Sequence, residues 1–442
     1  MWNYRRIKLT VGLIYAFCQI FFLINLEYPK GLNFDEFHYV PSAKQFLELK
    51  TNQNWEHPPL GKLLMAVGIG VWGDHPIGWR AMSTVFGSLT CVGMYLLALV
   101  LFKTEEAALW TLGITLANQM VYVQSRIGML DTFMFAFIVW ALVTFFATFL
   151  PIPPGKQTLR WPDSRLLNCA GILLGLATAC KWFGFIPWAS CVAIIVVVRG
   201  VQLQTPRNRQ PPWIMNLWKK VTLLEFAIAF LLLPFISYAL TFIPYLFIKE
   251  GGYANLAWWD IPLEWWNAQL RMYDGQLRVI SSHPYMSQWT DWPLLSRPIW
   301  YAFEPDADDK MYVRGVILLG NPWIMWLGLL ALAFCFWDGL KKLNPAGLVI
   351  TFFYSTFLGC WLFIPRKIAF YYYYYPCGMM LGLACTYFFF SPQPKAMKEV
   401  QKLKWVFLGF AIVFFIYFFP ILAGLKIPTS SYIEWMWFKS WI

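Results

Sequence analysis

The sequence predicts an all-α protein that crosses a membrane many times. Of its 442 residues, 59% are hydrophobic and only 13% are charged, a balance that soluble domains do not carry. The hydrophobic residues form many continuous runs, and roughly 20 apolar residues let one helix cross a hydrocarbon core of about 30 Å. Because the runs are continuous rather than alternating, they favour membrane helices over a membrane β-barrel.

The apolar runs predict about eleven membrane spans. The first run is followed by "NLEYPKGLNFDE" without a small-residue cleavage site, so we interpret it as a retained span and not as a secretory signal. We place the spans at roughly 9–26, 78–102, 107–123, 131–150, 166–181, 183–199, 221–248, 313–337, 346–364, 368–390 and 405–425.

The charges on the connecting segments predict the orientation of the chain. One set of segments is basic, as in "RGVQLQTPRNRQPP" and "DGLKKLNP", whereas the other set carries most of the acids. The positive-inside rule places the basic set in the cytoplasm, so the N-terminus is cytoplasmic and the C-terminus external. The net charge of +12 is then a topology signal that requires no nucleic acid.

Two external loops are long, roughly 27–77 and 249–312. The first contains "GLNFDEFHYVPSAK", where Asp35 and Glu36 stand just past the end of the first span. Farther along, "PPLGKLLMAVGIGVWG" begins with prolines that suit a helix N-terminus, and it is too short to span, so we expect it in the membrane interface. The second loop is dense in Trp, Tyr and Pro.

Five charged residues lie at or near the ends of predicted spans. Arg126 and Asp131 occur in "VQSRIGMLDTFMF", and Lys181 occurs in "GLATACKWFGF" with almost no polar neighbour. Arg366 and Lys367 occur in "FIPRKIAFYYYYYP". A charge at mid-membrane costs at least roughly 2.5–3.5 kcal/mol, and less near a span end. Each of these charges also has an ordinary explanation. Arg126 and Asp131 could pair with each other, Lys181 could be an interfacial anchor, and Arg366 and Lys367 could belong to an ordinary loop.

These charges fall on the same predicted side of the membrane as Asp35. Arginine binds phosphate in bidentate fashion and lysine acts as a point charge, so cations at this depth suit the phosphate of a membrane lipid. A carboxylate beside them suits a general base. The layout therefore fits transfer of a group from a lipid phosphate to a hydroxyl.

Several blocks of the sequence resemble a known family. They are "NFDEFHY", "EHPPLGKLL", "QSRIGMLDTFMF", "GLATACKWFGF", "SSHPYMSQWTDWPLLSRPIWY", "LGNPWIMW" and "AFYYYYYP". In this order they resemble the protein O-mannosyltransferase family, which are membrane glycosyltransferases of the GT-C class. The resemblance covers nearly the whole chain, 1–442, as one transmembrane domain.

The resemblance implies a donor, an acceptor and a reaction. The donor would be a polyprenyl-phosphate sugar, with mannose expected, and the acceptor a Ser or Thr hydroxyl of an exported protein. The family inverts the anomeric centre, so a single base, Asp35, would take the hydroxyl proton while Glu36 orients the acceptor or the base. An acid is not needed, because a lipid phosphate leaves as a stabilised anion whereas a glycosidase must protonate its leaving oxygen.

The resemblance also implies roles for other residues. The donor phosphate would be held by Arg126, Lys181 and Arg366, with Asp131 orienting Arg126. Supporting or substrate-binding positions would be His57, Lys62, Trp182, His283 and Tyr285.

One departure from the family concerns the second external loop. Eukaryotic members carry a β-trefoil (MIR) domain there, whereas this loop has only about 60 residues. We therefore expect a bacterial plasma-membrane enzyme, with association with the export translocon as a further expectation. No cofactor is expected. A divalent cation held by the Asp-Glu pair is the alternative, although a monophosphate donor lacks the diphosphate that such an ion bridges.

Two rival functions remain, the first from the same class of enzyme and the second from another class of protein. A lipid-phosphate sugar transferase that places aminoarabinose on lipid A would share the carboxylate, the cations and the donor lipid. A lipid transporter or flippase would use charges within the membrane as a transport path, often with paired repeats that this sequence lacks. An acceptor assay separates the first rival, and lipid movement without glycosidic bond formation identifies the second.

Overall fold

The structure is a computed structural model, and it describes residues 4–150, 163–206, 222–278, 282–392 and 395–442. Helices make up most of these residues, and three short strands form one antiparallel sheet in the order β1-β2-β3. The helices are α1 (Tyr4–Leu23), α2 (Glu36–Leu47), α3 (Leu60–Trp72), α4 (Pro76–Phe102), α5 (Glu105–Ala117), α6 (Gln119–Gln124), α7 (Leu130–Phe149), α8 (Asp163–Cys180), α9 (Phe185–Gln204), α10 (Leu223–Leu240), α11 (Ile261–Arg278), α12 (Pro322–Lys342), α13 (Pro345–Gly359), α14 (Tyr375–Phe390), α15 (Lys395–Lys402) and α16 (Lys404–Ala423). The strands are β1 (Ile299–Pro305), β2 (Tyr312–Leu318) and β3 (Ile427–Pro428).

The predicted all-α membrane architecture is confirmed. Among the described residues, eight helices are long and apolar enough to cross a membrane: α1, α4, α7, α9, α10, α12, α13 and α16. The other predicted spans fall on shorter or interrupted helices. The run 107–123, for example, is divided at Asn118, whose extended backbone separates α5 from α6. The total of eleven spans therefore stays a prediction.

Two spans form the centre of the molecule. Along their most apolar stretches, 78% of α4 and 72% of α7 are buried within the protein, against 17% of α1. Helix α7 packs against both α4 and α8. The ends of these helices therefore have fixed relative positions, which is what the residues of a site at one face require.

The prediction of a span at 313–337 is wrong at its beginning. Residues 312–318 form β2, which pairs with β1, and α12 begins only at Pro322. Asn321 caps α12, since its side chain accepts hydrogen bonds from the backbone N–H groups of Trp323 and Ile324. A short apolar run rich in β-branched residues cannot be separated from a helix by composition alone. The second external region thus contains α11 and a hairpin.

Two helices lie between α1 and α4, and one of them is the short helix expected at "PPLGKLLMAVGIGVWG". Helix α2 begins directly after Asp35 and buries Val40, Ala43 and Phe46. Helix α3 has 13 residues, too few to cross a membrane. The two helices pack together and α3 packs on α4, so the segment after the Asp-Glu pair is anchored to a central span.

Candidate active site

Asp35 lies at the start of α2 and is partly exposed. The Tyr39 hydroxyl donates a hydrogen bond to its Oδ2 over 3.1 Å. The preceding residue, Phe34, has a positive φ of 50°, a conformation that costs a non-glycine residue of order 1–3 kcal/mol. The Phe34 ring offsets this by packing 5.2 Å from the His283 ring and 5.3 Å from the Phe370 ring. Aromatic packing thus holds the turn that presents Asp35.

Glu36 points into the protein and is fully buried. Arg80 meets it in bidentate geometry, with Nε to Oε1 and Nη2 to Oε2 both 2.8 Å. The N–H groups of Gly128 and Asn33 also donate to the two oxygens, over 2.7 and 3.1 Å. Of the two roles expected for Glu36, orienting the acceptor does not fit this burial, whereas orienting the base does. With every oxygen engaged inside the protein, Glu36 fixes the backbone beside Asp35.

Lys181 pairs with Asp131 across α7 and α8. Its Nζ lies 2.8 and 3.1 Å from the two carboxylate oxygens, and both side chains are almost completely buried. The same Nζ lies 4.5 Å from the ring centres of Tyr372 and Tyr373. Asp131 consequently orients Lys181 and not Arg126, which corrects the predicted pairing. The two helices pack side by side, and that proximity decides the partner.

Arg366 also contacts Tyr373. Its Nη1 donates to the Tyr373 hydroxyl, its guanidinium lies 5.4 Å from the ring centre, and its buried Nε makes no hydrogen bond. Lys181 and Arg366 therefore share one tyrosine as a neighbour. The Nε–H group of Arg366 is therefore left to donate to a ligand.

These two cations line a cavity of about 260 Å³. Its walls are mostly apolar and come from the segment that leads into α9, the segment that follows α13 and the last turns of α11, and Glu56 also lines it. His57 also lines the cavity, and its ring meets the Tyr39 ring edge-on at 5.9 Å. Tyr39 therefore connects the cavity wall to Asp35.

His57 is neutral in this setting. Burial, together with the positive charges of Lys181 and Lys62, holds the pKa of His57 well below its usual range. Lys62 is itself fully buried and donates to the His57 carbonyl over 2.8 Å and to the Asn54 carbonyl. Burial lowers the pKa of Lys62 to about 7. Lys62 therefore fastens the loop that carries His57, which fits the supporting role expected for it and not the substrate-binding one.

Arg126 occupies a different place from the one predicted. It is buried and donates to the Phe22, Ile24 and Asn25 carbonyls over 3.3, 2.7 and 2.7 Å. These carbonyls lie at the C-terminal end of α1, where helical acceptors lack intrahelical partners. Arg126 does not line the cavity. The structure thus assigns it to fixing α1, and it is not retained as a phosphate ligand.

The remaining expected residues lie around the site. Trp182 lines the cavity and donates to the Tyr238 hydroxyl over 3.1 Å. Burial lowers the pKa of His283, while the nearby Asp35 carboxylate opposes that change, so the imidazole lies within electrostatic reach of Asp35. Tyr285 packs under Arg297, whose guanidinium lies 5.7 Å from its ring centre.

Sequence reasoning missed Arg80, Tyr39 and Arg297. Arg80 gave the same signal as Lys181, a charge within the apolar run "PIGWRAMSTVF", and could have been found by it. Arg297 gave no such signal. It donates to the Pro284 carbonyl over 2.7 Å and to the Ser440 carbonyl, joining the His283 loop to the C-terminal segment, where Trp441 is buried.

Replacement of Arg297 by Ala should loosen the loop that carries His283. We expect faster amide hydrogen exchange over residues 282–290 and a transfer rate lower by about tenfold, because misplacement of a positioning loop raises the barrier. Lys402→Ala, which removes an exposed ion pair to Glu399, is the control and should change neither quantity. Unchanged exchange in the Arg297 variant would show that the bond to Pro284 does not restrain the loop.

The carboxylates of Asp35 and Glu36 are not arranged as a chelating pair. Asp35 is partly exposed and accepts a hydrogen bond from Tyr39, whereas Glu36 is committed to Arg80. Among the described residues there is no group of three or more His, Cys, Asp or Glu side chains that could hold a metal ion.

Comparison with known proteins gives matches along most of the chain. The family model of dolichyl-phosphate-mannose-protein mannosyltransferase matches residues 74–246, and that of the C-terminal four-span region of protein O-mannosyltransferase matches residues 263–441. The polyprenol-phosphate-mannose–protein mannosyltransferase of Mycolicibacterium smegmatis is 24% identical over 97% of this chain and 92% of its own length. The Corynebacterium glutamicum protein of that name is 26% identical over 92% and 88%.

Two solved structures share the fold. The Saccharomyces cerevisiae Pmt1-Pmt2 complex bound to its sugar donor contains a chain that matches all of this chain and 93% of its own, with a TM-score of 0.81 at 15% identity. ArnT from Cupriavidus metallidurans bound to undecaprenyl phosphate matches 92% of this chain and 70% of its own, with a TM-score of 0.56 at 14% identity. The predicted GT-C fold is confirmed by these likenesses.

Proposed function

Because the chain belongs to the protein O-mannosyltransferase family, we propose that it transfers mannose from a polyprenyl-phosphate donor to Ser or Thr hydroxyls of proteins. The observation that carries this proposal is the placement of Lys181 and Arg366 on a mostly apolar cavity. His57, another wall residue, contacts the ring of Tyr39, whose hydroxyl donates to Asp35. Two cations suit a phosphate, and apolar walls suit the adjoining lipid chain.

In the proposed reaction, Asp35 takes the proton of the acceptor hydroxyl. The hydroxyl oxygen then forms a bond to the anomeric carbon, while the bond from that carbon to the phosphate oxygen breaks. The configuration inverts, and the polyprenyl phosphate departs with the bonding electrons. Lys181 and Arg366 stabilise the negative charge that grows on the phosphate, in a site where few water molecules compete.

The proposed mechanism uses no metal. Its support is geometric, since Glu36 gives its oxygens to Arg80 and to backbone N–H groups and cannot share an ion with Asp35. We place the reaction at the external face of a bacterial plasma membrane, with the N-terminus cytoplasmic and the C-terminus external. Acceptors would arrive as unfolded exported chains, and association with the export translocon is part of this proposal.

The test is to incubate the purified protein in nanodiscs with polyprenyl-phosphate mannose and a Ser/Thr-rich peptide. Mass spectrometry should find one added hexose on the peptide. Parallel reactions offer lipid A as the acceptor, or follow labelled donor lipid across liposomes. A sugar on lipid A only, or lipid movement without a glycosidic bond, would replace this proposal with the corresponding rival.

Replacement of Lys181 by Met should weaken donor use. We expect the transfer rate at low donor concentration to fall about 30-fold, as loss of one charge-assisted contact of about 2 kcal/mol predicts. The variant also leaves Asp131 buried without its partner, so Lys181→Met with Asp131→Asn is the control. The double variant should regain thermal stability and stay slow. Recovery of the rate in the double variant would show that Lys181 serves stability alone.

A further inference from the structure

Helix α11 carries an exposed apolar stripe along its whole length. Leu263, Trp266, Leu270, Tyr273 and Leu277 recur at alternating spacings of three and four residues, so they share one face of the helix. Each is between 36% and 64% exposed. Such a continuous aromatic and aliphatic face would be unfavourable in water.

A charged stripe runs beside the apolar one. It consists of the residues that follow each apolar residue, displaced by about 100° around the helix. They are Glu264, Asn267, Arg271, Asp274 and Arg278. Glu264 pairs with Arg271 over 2.6 Å, and Asp274 pairs with Arg278. One side of α11 therefore suits water and the adjacent side suits hydrocarbon, as in helices that lie in a membrane interface.

The third side of α11 rests on the external end of a membrane span. Trp265 packs against Phe235 and Tyr238 of α10, with ring centres 5.7 and 6.1 Å apart. The Tyr238 hydroxyl donates to Gln269 of α11 over 2.6 Å. Phe235 itself is exposed and belongs to the lipid-facing side of a helix apolar enough to span. The apolar stripe of α11 thus lies at the depth where the bilayer begins.

The stripe ends at the cavity. Tyr273 and Leu277 belong both to the stripe and to the cavity wall. The exposed Phe185, Leu362 and Phe363 are chain neighbours of other wall residues, Ile186, Trp361 and Ile364. The cavity wall therefore continues into apolar residues on the outside of the protein, both on α11 and at these positions.

We propose that α11 lies in the membrane interface on the external side of the bilayer. We further propose that its last turns, at Tyr273 and Leu277, form one side of the opening through which the lipid chain of the donor passes. The occupant of the stripe is the bilayer, and the occupant of the opening is an isoprenoid chain. The proposal of an opening for the isoprenoid chain rests on the proposed function, whereas the contact of α11 with the bilayer does not depend on it.

The contact of α11 with the bilayer is tested by photo-cross-linking. A diazirine amino acid replaces Leu270 on the apolar stripe or, as the matched control, Asp274 on the charged stripe, in protein held in phospholipid nanodiscs. Mass spectrometry should find phospholipid adducts at position 270 at least about fivefold more often than at 274. Equal yields at both positions would overturn the proposal, and adducts to a second copy of the chain would make the stripe a protein interface.

The opening is tested with donors of two lengths. Leu277→Asp places a charge in the path of the chain, so KM for a long polyprenyl-phosphate mannose should rise about tenfold, whereas KM for a donor of two isoprene units changes less than about twofold. Leu263→Asp, the same substitution on the stripe but away from the cavity, should leave both KM values near those of the unaltered protein. Equal effects on both donors would overturn the proposal that Leu277 borders the path of the lipid chain. Absence of product from the unaltered protein would instead count against the proposed function.

Discussion

Replacement of Asp35 by Asn is expected to lower the rate of mannosyl transfer by about 10³–10⁴-fold, the upper range for loss of a general base. Asparagine keeps the shape of the side chain, and its carbonyl oxygen can still accept the hydrogen bond from the Tyr39 hydroxyl. The amide cannot take a proton from the acceptor. The two cations that would hold the phosphate, Lys181 and Arg366, are unaffected. The loss should therefore fall on turnover and leave donor affinity within about twofold.

Turnover of the Asp35 variant is measured with saturating donor and peptide, and donor affinity by competition with unreactive polyprenyl phosphate. Tyr39→Phe is the matched control, because it removes only the hydroxyl that touches the carboxylate and should cost about tenfold or less. Activity of Asp35→Asn within tenfold of the unaltered enzyme would remove Asp35 as the base. A parallel loss of donor binding would instead assign the carboxylate to positioning the donor.

The sequence predicted the kinds of residue at the site better than their partners. Hydrophobic runs identified the eight helices that are long and apolar enough to span among the described residues, and charges at the ends of such runs drew attention to Asp35, Lys181 and Arg366. A charge near a membrane is visible in the sequence because its energetic cost is local. The partner of that charge cannot be seen in the sequence, because pairing depends on which helices pack together. Lys181 meets an aspartate 50 residues away, since α7 and α8 are neighbours.

The external regions were harder to predict for a different reason. The run that became β2 is as apolar as a span, and only its pairing with β1 makes it a strand. The stripe on α11 was present in the sequence, at spacings of three and four residues, but the density of Trp and Tyr in the second loop obscured it. Arg126 was chosen as a charge near a span end and from the family resemblance, and only the structure revealed that it serves the end of α1.

Replacement of Arg80 by Met is expected to destabilise the protein by about 3–5 kcal/mol, because Glu36 would remain buried as an uncompensated charge. Arg80 also donates to the Pro29 and Gly31 carbonyls over 2.6 and 2.9 Å, so the turn that leads to Asp35 loses support as well. The measurement is thermal unfolding in detergent, where the variant should unfold well below the unaltered protein. An unchanged unfolding temperature would mean that the pair contributes nothing to stability.

A second change separates the two tasks of this ion pair. Combining Arg80→Met with Glu36→Gln removes both charges, so most of the lost stability should return. Glutamine can still accept the hydrogen bond from the Gly128 N–H, but no guanidinium then joins Glu36 to the Pro29 and Gly31 carbonyls. If the pair positions Asp35, the double variant will be stable and yet transfer mannose about tenfold more slowly, with unchanged donor affinity. A stable double variant with full turnover would show that the buried pair stabilises the fold and that Asp35 keeps its position without the pair.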